Sequence, residues 1–423
     1  MTRHVIIGNG PAGVIAAETV RKHAPQDEIL LIGNEDVAPY SRMAIPYLLM
    51  GNIDEAGTTL RKDSDHFSRM RIDQKFGQVR QIDSTRRRID LTDGSSVDFG
   101  KLLIATGSIP VKPPVPGIDS AGVHPCWTLQ DARAIMALAQ PQARVILMGA
   151  GFIGCIIMEA LAARGVKLTV VEMGERMVPR MMGEGAGNMI RLWCESKGVT
   201  VHTATRIEAI EAAGADTPLQ VRLSDGQQLP ADLVISATGV RPHIGFLESG
   251  QIKCRQGVLV DETMQTNIPG IYAAGDCAEG FDFVTGQTIV SAIQPNAADQ
   301  ARCAGMNMAG KHAAQRGVTQ INVLDTLGLI SSSFGQWQGV PGGQRIELTD
   351  SGRFKYLRLE FDQDVLVGSN SIGHTQHIGV LRGLIQQRVP LGKWKDILLE
   401  DPTRLPEAYI ACAQQQDAWQ TAH

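Results

Sequence analysis

Two short glycine runs hold the residues whose types and spacing point most directly to chemistry. One is Gly8-Asn9-Gly10-Pro11-Ala12-Gly13, entered from the apolar run His4 to Ile7, and the other is Gly149-Ala150-Gly151-Phe152-Ile153-Gly154, entered from Arg144 to Met148. Both have the spacing G-x-G-x-x-G between an expected strand and an expected helix. That spacing suits a pyrophosphate: the first glycine permits a tight turn, the second lets backbone N–H groups approach the phosphates, and the third lets helix and strand pack closely. The phosphates then lie at the positive end of the following helix. One such run arises easily by chance in a chain with 45 glycines among 423 residues. Two of them, each in strand-to-helix context and each followed by the same distant pattern, are strong evidence for two dinucleotide sites.

The elements that must position these turns are themselves repeated. After the first turn come a helix-like segment (Val14, Ile15, Ala17, Val20), a strand Ile29 to Ile32, an Asp93-Gly94 turn, and then Leu102 to Ile104 leading into Ala105-Thr106-Gly107. After the second come a helix ending near Gly165, a strand Lys167 to Val171, an Asp225-Gly226 turn, and Leu233 to Ser236 leading into Ala237-Thr238-Gly239. A carboxylate near the end of the second strand of each unit is expected to accept hydrogen bonds from an adenosine ribose. Glu172 fills that role in the second copy and, with Glu175 nearby, would repel a 2′-phosphate and favour NADH; Arg176 argues the other way. In the first copy the strand ends on Gly33 and the nearest acid is Glu35. A further apolar strand, Gly270 to Ala274, runs into Gly275-Asp276 and has no counterpart in the second copy.

Composition excludes several classes of function. The chain has 43% apolar residues, 20% charged residues and a formal net charge of −4, which suits a core-forming protein of two or three domains. No apolar run approaches the ~18 residues of a spanning helix, and the first apolar run meets Gly8 too soon for a signal peptide, so a cytoplasmic location is expected. The basic run Arg86-Arg87-Arg88 has no interleaved aromatics and reads as a solvated strand edge rather than a nucleic-acid contact. Seven scattered cysteines include no C-x-x-C pair, so neither zinc nor an iron-sulfur cluster is expected on this chain. His374 and His377 have no third ligand nearby in the sequence.

Taken together, the two glycine turns, their Ala-Thr-Gly echoes and the late Gly275-Asp276 signature resemble the two-dinucleotide flavoprotein reductases of the pyridine nucleotide-disulfide oxidoreductase superfamily. The resemblance covers residues 1 to about 310. It implies an α/β fold with two Rossmann-like domains of glutathione-reductase type and a small α+β C-terminal domain. The FAD domain is then discontinuous, over 1–117 and 241–318; the NAD(H) domain spans 118–240, and 319–423 forms an interface or flavin-covering domain. It also implies that Gly8, Gly10, Pro11, Ala12, Gly13, Glu35, Ala105, Thr106, Gly107, Gly275 and Asp276 hold FAD, with Asp276 on the ribityl chain. Gly149, Gly151, Phe152, Ile153, Gly154, Glu172 and Gly239 would hold NAD(H), and the segment Pro295 to Gly310 would be a helix pointing its positive end at the flavin.

The segment after Glu35 separates the branches of this superfamily. Where relatives carry a redox cysteine, this chain reads Pro39-Tyr40-Ser41-Arg42-Met43, and methionine supplies no thiolate. Disulfide and peroxide chemistry are therefore disfavoured. What remains resembles the rubredoxin and ferredoxin reductases and the flavin portion of assimilatory nitrite reductase, in which a Tyr-Ser-Arg sequence contacts FAD; here that sequence is Tyr40-Ser41-Arg42, and the resemblance implies that Ser41 and Arg42 hold FAD. Tyr47 and Ile156 depart from residues common in those relatives. The expected function is hydride transfer from NADH to FAD and then electron transfer to an iron-sulfur protein, a rubredoxin or a companion redox subunit, with a homodimer as a candidate assembly. Two rivals are an NADH oxidase working without a cysteine and a flavoprotein whose NADH-dependent state controls partner binding. No side-chain acid, base or nucleophile is assigned.

Overall fold

In the computed structural model, which describes residues 1–214, 218–247, 250–318 and 320–420, the chain divides into two compact units. One comprises Met1–Val111 with Val240–Val318, and the other Lys112–Gly239 with Thr319–His423. Thr319 and the last three residues of the expected C-terminal domain lie outside the described residues.

The first unit is built on a five-stranded parallel sheet in the order Ile271–Ala273, Lys101–Ile104, Arg3–Ile7, Glu28–Gly33, Asp73–Phe76. Its central strands are almost unbroken runs of Val, Ile and Leu because both faces are covered. Ile6, Leu31 and Leu103 belong to one buried cluster with the helix residues Val14, Ala17 and Val20. Val5, Ile7, Leu30, Ile32, Leu102 and Ile104 belong to another, with Ile82 and Ile89 of a small antiparallel sheet. The helices Pro11–His23 and Gln294–Met308 lie close together because the contact is made of small residues; a Cβ on Gly305 would fall 2.8 Å from Thr19 Cβ and 3.0 Å from Ala16 O.

The second unit repeats the plan with the strand order Thr200–His202, Lys167–Val171, Arg144–Met148, Leu233–Ser236, Val123–Pro125, all parallel. Within the same unit an antiparallel sheet follows the order Ile321–Thr326, Leu329–Gly335, Val365–Ile372, Lys355–Asp362, Gln344–Asp350. One face of that sheet is unusually polar for a buried surface: Ser331, Ser333, Asn370, Arg358 and Glu360 are all buried. The strand Ile321–Thr326 packs against the helix Phe152–Ala163, and Val365–Ile372 packs against Glu184–Ser196. Among the described residues no helix is long and apolar enough to cross a membrane, and no group of three His, Cys, Asp or Glu is placed to hold a metal.

The expected basic edge is a turn rather than a free patch. Arg87 donates from one guanidinium to Gly100 O and Pro269 O, while Arg88 begins the strand Arg88–Leu91.

His4 introduces a pH dependence into the first sheet. It is fully buried, its Nε2 lies 3.0 Å from Asp27 Oδ2, and its Nδ1 has no hydrogen-bond partner. Burial, opposed by Asp27, lowers its pKa from the ordinary 6.5, so the folded state favours the neutral ring. The unfolded chain binds the extra proton below that value, and stability contributed by neutral His4 is present above it and lost as pH falls through it. The melting temperature should therefore drop between pH 7.5 and 5.5 by more in the wild type than in His4→Asn, measured by calorimetry on both; equal slopes would remove His4 as the cause.

Candidate functional site

Each parallel sheet delivers its first strand into a glycine turn whose three glycines do different work. Gly8 has φ +107°, and a Cβ there would lie 2.1 Å from Ala105 O; a Cβ on Gly13 would lie 1.8 Å from Gly8 O. Gly149 has φ +97° with Ala237 O 2.7 Å from its would-be Cβ, and a Cβ on Gly154 would lie 2.4 Å from Gly149 O. These four positions are glycine because the fold admits nothing larger. Gly10 and Gly151 differ: both are extended (φ −74° and −78°), and a Cβ on either would meet no atom within 4 Å. Neither backbone strain nor internal packing demands glycine there, which leaves close approach by a ligand as the reason.

Both turns also open directly onto helix starts. The helices Pro11–His23 and Phe152–Ala163 begin with Gly10 and Gly151 as N-caps, and neither has a side-chain cap. Backbone N–H groups and the helix dipole are thus presented to the open space in front of the middle glycine, the arrangement that binds phosphate. Pro11 costs nothing at the first helical position, where its missing N–H has no intrahelical partner. Ala12, Phe152 and Ile153 follow the caps in the first turns of these helices.

The first unit gathers further polar groups at the carboxyl ends of its strands. Glu35 is not free: its Oε2 accepts from Tyr40 Oη at 2.8 Å and its Oε1 from an Arg42 guanidinium nitrogen at 2.8 Å. Arg42 also donates to Tyr40 Oη. The strand ends on Gly33 rather than an acid because Asn9 occupies the space, 2.4 Å from where a Cβ would stand. Ser41 Oγ reaches Gln294 Oε1 at 3.4 Å. Ala105 N bonds Ile7 O, Thr106 Oγ1 donates to His243 O, and Gly107, at φ +66°, accepts from His243 N. Asp276 Oδ2 accepts from Ser108 Oγ at 2.8 Å, and burial pushes its carboxyl pKa up. Gly275, at φ +83°, donates its N–H to Gln300 Oε1 and stands against Ala12, where a Cβ would come 3.2 Å from the alanine methyl. Burial, then Arg241 and Arg42, lower the His243 pKa. These groups carry the ligands suited to a second ribose, a polyol chain and a phosphate pair on one sheet edge.

In the second unit Glu172 is buried, and its carboxylate braces the turn itself. Oε2 accepts from Ala150 N and Oε1 from Gly174 N, both at 2.7 Å. Arg176 donates through Nε to Met182 O and through a terminal nitrogen to Pro179 O, so its guanidinium is committed to the backbone. Gly239, at φ +114°, follows the strand Leu233–Ser236 and lies near Arg180, whose terminal nitrogen is 3.8 Å from the would-be Cβ.

Sequence reasoning missed Ser108, His243, Gln300 and Arg180. Ser108 sits beside Gly107, already singled out, and adjacency is the signal that would have found it. Gln300 and Arg180 are brought in by helix and loop geometry, for which the sequence has no marker.

No cysteine stands at the first glycine turn or in the segment after Glu35. Six of the seven cysteines are buried and Cys254 is exposed. Burial raises the pKa of every one, to about 12 at Cys126 and Cys194 and about 11 at Cys303. At neutral pH all seven are therefore protonated. Met43, at the position where relatives place a cysteine, is 48% exposed.

Two parallel sheets, each ending in an uncapped helix behind a glycine cradle, define a two-dinucleotide α/β protein. The chain belongs to the pyridine nucleotide-disulphide oxidoreductase family, whose description matches residues 2–301, and it is an NAD(P)H-dependent flavin oxidoreductase. It is 31% identical over 405 residues to the NADH-dependent phenylglyoxylate dehydrogenase subunit epsilon of Aromatoleum evansii, covering 95% of both chains. It is 34% identical over 320 residues to an NADH oxidase of Methanocaldococcus jannaschii, covering 74% of this chain and 71% of the relative. Its fold matches that in a covalent putidaredoxin reductase–putidaredoxin complex with a TM-score of 0.88 at 24% identity, over 97% of this chain and 99% of that one.

The open space at the two middle glycines makes a direct test. Gly10→Ala and Gly151→Ala should fold with unchanged melting temperature, since neither Cβ meets an atom. Gly10→Ala should purify with little bound FAD, and Gly151→Ala should bind ADP-ribose about tenfold more weakly or worse while keeping its flavin. Wild-type affinity in both variants would show that phosphates do not enter the cradles.

Proposed function

We propose that the first cradle holds FAD, that the second holds NADH, and that the chain passes electrons between NADH and a partner redox protein, an iron-sulfur protein or a companion subunit. The observation that carries this reading is the pairing of two uncapped glycine cradles with Met43, not a cysteine, in the segment after Glu35. The flavin, when bound, accepts a hydride and can release two electrons one at a time. The chain's own residues position and polarise. Gly8 to Gly13 and the helix behind them would take the FAD pyrophosphate, with Arg42 as the nearby cation. Asp276, buried with a raised pKa, would reach the ribityl hydroxyls with Ser108 holding one of its oxygens. The division into an FAD domain of 1–117 and 241–318, an NAD(H) domain of 118–240 and a C-terminal domain of 319–423 is part of the same proposal.

NADH rather than NADPH is favoured by two features of the second cradle. Glu172 lies buried beside the expected ribose with both oxygens fixed by backbone N–H groups, and Arg176 is oriented onto Met182 O and Pro179 O rather than left to swing toward a 2′-phosphate. In Glu172→Gln the ratio of kcat/KM for NADH over NADPH should fall about tenfold. An unchanged ratio would transfer the selectivity elsewhere.

A partner protein is supported by the full-length similarity to a dehydrogenase subunit and by a fold neighbour captured with its redox partner. The similarity to an NADH oxidase favours a second reading, in which oxygen is the acceptor. Purified protein should be yellow and bleach with NADH under anaerobic conditions, and a one-electron dye or a small iron-sulfur protein should reoxidise it faster than oxygen does. Alkylation of Cys254 with iodoacetamide should leave dye reduction unchanged. Rapid oxygen consumption with no use of carriers would replace the main reading by the oxidase one.

A further inference from the structure

We propose that Asn370, on the C-terminal sheet, is a positioning residue for the dinucleotide turn at Gly149 to Gly154, acting through the loop Met173 to Gly183 without touching the nucleotide. This inference rests on the reading that the second cradle binds NADH.

The argument follows a continuous set of buried hydrogen bonds. Asn370 is fully buried in the strand Val365–Ile372. Its Oδ1 accepts from Gly183 N at 2.9 Å and its Nδ2 donates to Met181 O at 3.0 Å, so one side-chain amide grips both ends of a three-residue segment as a peptide neighbour would. Between them, Met182 O accepts from Arg176 Nε. Met181 N and Met182 N both donate to Val178 O. Val178 is held in the left-handed region, φ +49°, an unfavourable conformation for a β-branched residue that persists only where surroundings impose it. From there Val178 N donates to Ala150 O at 2.9 Å, inside the glycine turn. The N–H of that same Ala150 peptide neighbourhood is held by Glu172 Oε2. Ala150 therefore has its carbonyl tied to the loop and its N–H tied to the ribose-side acid.

The consequence is geometric. The phosphate cradle at Gly151 faces open space, and the loop that borders it is held at its near end by Glu172 Oε1 on Gly174 N and by Ala204 N on Gly174 O; Asn370 holds its far end, from a different sheet. Gly183 sits close against this sheet: a Cβ there would stand 3.1 Å from an Arg358 terminal nitrogen and 3.5 Å from Asn370 Oδ1. Removing the clamp would release segment 181–183, let Val178 relax from its strained conformation and loosen the Ala150 carbonyl. The turn would then pay part of its ordering cost when the nucleotide binds.

The test uses full-length flavin-loaded protein with Asn370→Leu, which keeps volume and removes both bonds, and Asn370→Ser, which keeps an acceptor for Gly183 N–H and serves where Leu does not fold. Ser332→Ala is the control, since it breaks another buried polar contact of the same sheet, Ser332 Oγ to Ser371 Oγ at 2.7 Å. ADP-ribose affinity is measured by calorimetry, and amide exchange of residues 149–155 and 173–183 by mass spectrometry. The Asn370 variants should bind ADP-ribose about tenfold more weakly, Ser less affected than Leu, exchange faster in both segments, and keep their flavin. Ser332→Ala should lower the melting temperature with wild-type affinity. Asn370 variants that melt earlier yet bind ADP-ribose within twofold of wild type would overturn the positioning role. Failure of the wild type itself to bind ADP-ribose would instead overturn the NADH reading.

Discussion

Everything in this molecule turns on the need of a phosphate group for backbone N–H donors that no side chain has already claimed. A helix start supplies such donors only if it is uncapped and approachable. Both sheets meet the demand in the same way: a parallel strand buried on both faces delivers the chain to a left-handed glycine, and the third glycine lets the helix press back onto the turn. The small residues along the helix Pro11–His23, and the close approach of Gly305 from the helix Gln294–Met308, follow from the same requirement. A bulkier contact would push the helix off its strand and spoil the cradle.

The two cradles differ in how they treat their acids. Glu172 is spent on two backbone N–H groups and stiffens the turn, whereas Glu35 is paired with Arg42 and Tyr40. A carboxylate bonded to backbone on both oxygens is fixed in place. An ion pair at a partly exposed site is more easily rearranged than a carboxylate bonded to backbone. The thiols are the third electrostatic element: burial holds them protonated, and the electron path has no need of them.

The C-terminal sheet belongs to the same logic. Its buried face carries Asn370, Arg358 and Glu360 where a sheet packed on helices would ordinarily be apolar. Burying such groups is unfavourable unless each is bonded. Arg358 is bonded to Glu360 and Glu347, and Asn370 to the nucleotide-side loop. Polar groups in such a place impose one register on the contact, which apolar side chains would leave loosely specified.

By itself the amino-acid sequence determined the elements that local rules govern. Strands Arg144–Met148 and Lys167–Val171 fall where the patterns place them, because apolar runs and glycine turns act over a few residues. The duplication, the six turn glycines and the missing redox cysteine were legible for the same reason. Only the tertiary structure separated those glycines by cause: four are forced by carbonyl oxygens from distant strands, and two face open space. It alone committed Arg176 to carbonyls, paired Glu35 with Arg42, and set Asn370 against Gly183. Those contacts join residues far apart in the chain, and their energies depend on distance and burial, which no local pattern of residue types encodes.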